Sequence, residues 1–121
     1  MYLYKEEVMD HYNHPRNQGK LLGDDVLHGK ENNANCGDVV EFYLKVKQGK
    51  IVEVKWEGAG CAIMTASASK LSEWLKGQIV KEVEQLEEEQ LVVEGVGIEV
   101  NPGRQKCVLI PVLALKKLLR N

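Results

Sequence analysis

Two neighbouring stretches, VVEFYLKVK (Val39 to Lys47) and KIVEVKWEG (Lys50 to Gly58), alternate apolar and polar residues and are parted only by Gln48 and Gly49. Side chains of a strand point alternately to opposite faces. The first stretch therefore places Val40, Phe42, Leu44 and Val46 on one face, and the second places Ile51 or Val52 there with Val54 and Trp56. So short a connection makes the pair a hairpin, because parallel strands need a crossover of roughly a dozen residues. The spacing predicts an antiparallel sheet.

Around this hairpin the period changes. Upstream, VLHGKENNA (residues 26 to 34) predicts a short first strand. MYLYKEEVMDHY predicts a helix, with Leu3, Val8 and Tyr12 set among charged residues until Pro15 and Gly19 stop it. Downstream of GAGC (Gly58 to Cys61), TASASKLSEWLKG carries Leu71, Trp74 and Leu75 at helical spacing, with Thr65 or Ser67 as the expected N-cap and Gly77 as the stop. QIVKEVEQLEEEQ predicts a further helix with Ile79, Val83 and Leu86 as its apolar stripe and Glu82, Glu84, Glu87, Glu88 and Glu89 in solvent. LVVEGVGIEVNPG, broken by Gly95 and Gly97, predicts a loop or short extended segment closing on an Asn101-Pro102-Gly103 turn. KCVLIPVLALKKLLRN predicts a final helix with Val108, Val112, Leu115 and Leu119 on its apolar face. Its last turns carry Lys116, Lys117 and Arg120, the sign of charge that a helix C-terminus favours. Pro111 suits only a first helical turn, which sets the expected start near Leu109 or Ile110.

With 121 residues, 44% of them hydrophobic, the chain suits one cored domain over residues 1–121. A net charge of -2 from 16 basic and 18 acidic residues lacks the electrostatic footprint of a nucleic-acid or anionic-membrane binder. The charged N-terminus does not read as a signal peptide, and no stretch approaches the length of a membrane span, so a cytoplasmic location with reduced thiols is expected. There, three cysteines suit metal binding or catalysis better than a disulfide framework. All three fall at ends of predicted elements: Cys36 in NANCGD before the long strand, Cys61 in a glycine-flanked loop before one helix, Cys107 at the start of another. Helix N-termini present N–H groups and a partial positive charge that favour a thiolate, the form that attacks sulfur and binds metal. Glycines at 37, 58 and 60 let backbone come close to a bound group. The intervals lack the C-x-x-C pairs of ordinary zinc modules. Spacing alone thus leaves a buried structural role open, most of all for Cys107 beside its apolar helix.

The surrounding residues are more specific. YKEEVMDHYNHPRNQG, NANCGD, GAGCAIMTASASKLSEWLKG and GRQKC, in that order, closely resemble the iron–sulfur cluster assembly scaffold family of IscU-like, SufU-like and NifU N-terminal proteins, over nearly the whole chain. The resemblance implies an α+β fold, a three-stranded antiparallel sheet packed by helices, with Cys36, Asp38, Cys61 and Cys107 meeting at one end. It implies that sulfur is accepted as a persulfide from a cysteine desulfurase, with Cys36 and Cys107 as candidate acceptors and Asp38 beside them. It also implies a transient [2Fe-2S] cluster or iron on Cys36, Cys61 and Cys107, destined for apo iron–sulfur proteins. In SufU-like members the three cysteines and the aspartate instead hold zinc and relay sulfur. IscU-like members have a histidine before the third cysteine and, upstream, a proline-containing segment read by a chaperone; here Lys106 precedes Cys107, and IEVNPGR lacks that motif. Arg104, Lys106 and Cys107 match the SufU-like arrangement, whereas the short interval between the second and third cysteines departs from it. Ala34 stands where the family usually has proline, and Met64 where serine is common.

Three function classes are weighed on these residues. A solitary cysteine hydrolase needs a thiol paired with a histidine, and His11, His14 and His28 all lie in segments apart from the cysteines, where surface or capping roles are expected. A closed structural zinc site would usually be all cysteine and histidine, whereas Asp38 in the implied ligand set favours a site that opens. A carboxylate is a harder ligand than a thiolate, so Asp38 is expected to be released first. Arg104 either steers an anionic persulfide or pairs with a glutamate, and Lys106 either stabilises the neighbouring thiolate or points to solvent. The family resemblance and the amphipathic start make the N-terminal segment around Tyr2 to His14, with the rim of the cysteine site, the expected docking surface for the desulfurase, leaving scaffold and sulfur relay as the two principal readings.

Overall fold

Gln48 and Gly49 adopt φ angles of 53° and 78°, the pair of left-handed conformations that a two-residue type I′ hairpin turn requires. They join strand β2 (Asp38–Lys47) to β3 (Lys50–Ala59), and β2 pairs on its other side with β1 (Val26–Asn33), so the sheet is antiparallel in the order β1-β2-β3. The computed structural model describes residues 3–33, 37–100, 103 and 105–120. Cys36, Ala34, Asn101, Pro102 and Arg104 lie outside them, as does the Tyr2 end of the expected docking segment.

One face of the sheet buries Val40, Phe42, Leu44, Ile51, Val54 and Trp56. The choice between Ile51 and Val52 is decided by a bulge. The ladder pairs Lys45 with Glu53 but Val46 with Ile51, leaving Val52 as the extra residue and turning Ile51 inward. The outer edge of β3 is covered by the chain that follows helix α1 (Leu3–Asn13). There the Trp56 N–H donates to Asn17 O at 3.0 Å, the Gly19 N–H to Trp56 O at 2.9 Å, and the indole Nε1 to Arg16 O at 2.8 Å. On α1 the inward positions are Val8 and His11, while Tyr12, expected on the apolar stripe, is 44% exposed.

Helix α2 (Ala62–Leu75) starts earlier than its composition implies. Thr65 and Ser67 are not its cap: Cys61 is, in extended conformation, its sulfur accepting the Met64 N–H. Ser67 is instead buried inside the helix and donates to Val108 O at 2.9 Å. The small residues Ala66, Ser67, Ala68, Ser69 and Ser72 give α2 a buried face that neighbouring elements approach closely.

The glutamate-rich stretch is not one helix. α3 (Val80–Gln85) stops at extended Leu86, and α4 (Glu88–Leu91) begins on a capping box in which the Gln90 side chain accepts the Glu87 N–H at 2.9 Å. Ile79 consequently precedes the first of these helices and is 46% exposed, while Val83 is buried. The next segment is only partly the expected loop, with residues 97–100 free of regular structure. Val92–Val96 form a π-helical turn ended by Gly97 at φ 66°, and a Cβ on Gly95 would lie 2.7 Å from Leu71, so this turn sits directly on α2.

Helix α5 (Gln105–Arg120) begins four residues before Leu109, and Pro111 lies well inside it. Pro111 has no N–H for the carbonyl four residues back, a loss of about 3 kcal/mol in an isolated helix. The helix persists because it buries Val108, Ile110, Pro111, Val112, Ala114, Leu115 and Leu118. Leu118, not Leu119, is the innermost of its final leucines. α5 lies against β1 so closely that a Cβ on Gly29 would come within 2.6 Å of Ala114 O and 2.7 Å of Leu118 N. The α+β architecture, a three-stranded antiparallel sheet packed by helices, is the expected one. Among the described residues no helix is long and apolar enough to cross a membrane.

Candidate metal centre

Three element ends converge on one point. Asp38 is the first residue of β2, Cys61 caps α2, and Cys107 is the third residue of α5. One carboxylate oxygen of Asp38 and the sulfurs of Cys61 and Cys107 all lie within 4.8 Å of one another. Asp38 is buried at 4% exposure, and both cysteines are half-buried. Cys61 Sγ stands 3.8 Å from Asp38 Oδ2 and accepts the Met64 N–H at 3.4 Å, so the α2 N-terminus is turned toward the sulfur.

Local chain geometry explains how a carboxylate is held there. Gly37, at φ 76°, turns the chain into β2, its N–H donating to Asn33 O at 2.8 Å. Gly60 leaves the space that Asp38 fills: a Cβ there would lie 2.8 Å from Asp38 Cγ and Oδ1 and 2.7 Å from Met64 Cε. Gly58 is equally committed, with a Cβ falling 2.5 Å from Val39 O on the paired strand. Met64, where the resembled family commonly has serine, is fully buried and its Cε reaches the Gly60 position.

Of the residues singled out in the sequence, the structure brings Asp38, Cys61 and Cys107 together, while Cys36 lies outside the described residues, two positions before Asp38 in the chain. Lys106 is exposed. Among the described residues no histidine joins the group. His28 is exposed on the outer face of the sheet, 3.2 Å from Glu41, and His14 is also exposed. His11 corrects its expected surface role. It is 6% exposed, with Nδ1 2.6 Å from Ser69 Oγ and Nε2 3.7 Å from Glu73. Burial, aided by the charge of Arg16 and opposed by that of Glu73, holds its pKa below 6.5. Its position three residues after Val8 was the available sign that it faces inward. Sequence reasoning marked Gly60 as a glycine but missed what occupies its place.

The donor set has a definite chemistry. Two thiols and one carboxylate suit zinc or iron, which accept sulfur ligands, and are unsuited to magnesium or calcium, which prefer all-oxygen shells. The three atoms are near enough to share one ion without large movement of the backbone.

Comparison with known proteins gives a consistent answer. Residues 3–118 match the family model described as the NifU-like N terminal domain. The chain is 35% identical to the iron–sulfur cluster assembly scaffold protein IscU of Azotobacter vinelandii over 121 residues, covering 98% of this chain and 92% of that protein. It is 38% identical to the zinc-dependent sulfurtransferase SufU of Bacillus subtilis (strain 168) over 80 residues, 65% of this chain and 52% of that one. Among solved structures, a protein from Fervidobacterium islandicum AW-1 described as an iron–sulfur cluster assembly scaffold for the SUF system superposes with a TM-score of 0.77. The two are 28% identical, with 98% of both chains covered.

Proposed function

Because the chain belongs to the NifU-like N-terminal domain family, we propose that it is an iron–sulfur cluster biogenesis protein. In this reading it accepts persulfide sulfur from a cysteine desulfurase and carries a [2Fe-2S] cluster as cargo for apo-protein acceptors. The observation that carries the reading is the convergence of Asp38, Cys61 and Cys107 within 4.8 Å. Cys36, two positions before Asp38, is the fourth ligand in this reading, which makes an S₃O set over the full chain. The likeness to IscU over nearly the whole length supports the scaffold role, and reduced thiols of the cytoplasm suit it.

The chemistry follows from the ligand types. A thiolate of Cys36 or Cys107 attacks the outer sulfur of the desulfurase persulfide. A new S–S bond forms on this chain, the old one breaks, and the desulfurase thiolate departs, so sulfur moves without net oxidation. Reducing that sulfur to sulfide takes two electrons from an external donor. Zinc, when bound at the same residues, supplies a Lewis acid that keeps the thiols deprotonated. In a metal-loaded site Asp38, the harder ligand, would be held less tightly than the three sulfurs and so would be the residue that lets sulfur enter or a cluster leave. Gly37 and Gly60 set where that carboxylate sits.

A second reading, zinc-dependent sulfur relay without cluster assembly, is favoured by Lys106 ahead of Cys107 and by the likeness to SufU. Both readings share the transfer step, which is tested by mixing the chain with a cysteine desulfurase and cysteine and trapping persulfides for mass spectrometry. A gain of one sulfur atom on Cys36 or Cys107 is expected. A chain that stays unmodified while the desulfurase carries its persulfide contradicts both.

A further inference from the structure

Gln105, Val108 and Leu109, which flank Cys107 on the first turns of α5, also line one wall of a groove of about 750 Å³. The opposite wall comes from α4, the π-helical turn and the segment at 97–100. Its floor is apolar: Val92, Val93, Val100 and Leu109. Val93 is 73% exposed, a branched apolar side chain that the core does not use. Among the described residues, every charged side chain lining the groove is a carboxylate, Glu88, Glu89 and Glu99. The acidity extends beyond these three. Residues 80–100, which supply much of the groove's lining, hold seven glutamates against one lysine, in a chain whose total is only -2.

An apolar floor beside three carboxylates, the charged side chains among the described lining residues, selects its occupant. A neutral peptide leaves the carboxylates uncompensated, an acidic one is repelled, and a purely cationic one leaves the valines in water. We infer that the groove docks a basic, apolar-anchored segment of a partner protein, in which lysines or arginines flank a side chain such as leucine. The anchor packs on Val92, Val93 and Leu109 while the cations meet Glu88, Glu89 and Glu99. Because the same helix start carries Cys107, a segment seated here holds its protein beside the sulfur site, and the carboxylates of Glu88, Glu89 and Glu99 raise the encounter rate for such partners. That role, though not the docking itself, rests on the proposed sulfur and cluster chemistry.

The test uses short fluorescein-labelled peptides: one with a leucine among lysines and arginines, one with that leucine changed to serine, and one with the cations changed to glutamate. Anisotropy should show saturable binding of the first alone. Chemical-shift changes in the ¹⁵N-labelled protein should centre on Val92, Val93, Val100 and Leu109. Affinity should fall by roughly tenfold or more, about 1.4 kcal/mol, in the paired exposed changes Glu89→Lys and Glu99→Lys, and in Val93→Asn. It should also weaken with added salt. Equal binding of the serine peptide means adhesion by charge alone and overturns the proposal. So do shifts centred elsewhere, an unchanged affinity in the variants, or no saturable binding. Loading the same variants with ferric iron and sulfide, with no partner present, separates the two ideas. Cluster formation should match wild type, and a wild-type chain that binds the peptide yet holds no cluster refutes the site reading while leaving the groove intact.

Discussion

Gly60 has no Cβ, and the carboxylate of Asp38 occupies the room this leaves, with Cγ and Oδ1 only 2.8 Å from where a methyl group would stand. Alanine at 60 must therefore move Asp38 or the buried Met64 tip, and Asp38, at the edge of the ligand group, yields the proposed ligand. Gly60→Ala is expected to weaken zinc binding by about tenfold, the lower end of what displaced supporting contacts cost metal sites, measured by competition with a chromogenic chelator. Asp38→Ala should lengthen the lifetime of a bound cluster while slowing its transfer to an acceptor, since the ligand that opens the site is gone. Adding Gly60→Ala to Asp38→Ala should then change neither quantity further. An additive double variant means that Gly60 acts elsewhere. Turn-forming neighbours and element ends drew attention to the three cysteines, whereas Asp38 as a ligand was implied only by the family resemblance, and Cys36 lies outside the described residues. The meaning of Gly60 was not, because a missing side chain does not say which residue from a distant segment fills its place.

Between elements, two of the contacts that hold the helices on the sheet and on each other have measurable consequences. α1 docks on α2 through His11 and Ser69, with Arg16, Asp10, Lys70 and Glu73 as the surrounding charges. Since the native pKa of His11 lies below 6.5, the unfolded chain takes up this proton first as pH falls. This group therefore leaves stability unchanged well above pH 6.5 and lowers it as the pH drops through that value, until the native histidine also protonates. Melting temperature should decline as the pH falls from neutrality through 6.5, and His11→Gln, which keeps a polar partner for Ser69, should flatten that decline. An identical slope in the variant contradicts the assignment. α5 docks on β1 over Gly29, where the atoms met by a new Cβ are mainly helix backbone and cannot rotate aside. Gly29→Ala is expected at the upper end of the roughly 1–3 kcal/mol typical of overpacking, read from urea unfolding, and a neutral result would mean that α5 slides without cost. The hairpin was readable because alternation and a two-residue turn are local signals. The early start of α5 was not, because burial of its apolar face outweighs the local effect of Pro111, and the break before α4 depends on a capping box that periodicity does not register.

For the whole molecule, the ligand group joins the starts of β2, α2 and α5, which are distant in sequence. Binding one ion to the native chain alone stabilises it by about 2.7 kcal/mol when the metal stands at a hundred times its dissociation constant. Stripping zinc should accordingly lower the melting temperature by about 10 °C, and an unchanged value would mean that the three segments are tied without metal. The overall fold was open to sequence reasoning because the strand pattern and the family motifs agree. The acidic groove was not, because it is made by the π-helical turn and the displaced start of α5, both of which depend on tertiary packing. The central claim, that Cys36, Asp38, Cys61 and Cys107 form one site for sulfur and iron, is tested most directly by anaerobic reconstitution. The chain, a cysteine desulfurase, cysteine, dithiothreitol and ferrous iron are combined, and visible absorbance is recorded with iron and acid-labile sulfide. The account predicts a [2Fe-2S] spectrum with equal iron and sulfide, lost when any one of the three cysteines is replaced by alanine. Wild-type protein with neither cluster nor bound persulfide, or a cluster that survives replacement of Cys61 or Cys107, would contradict it.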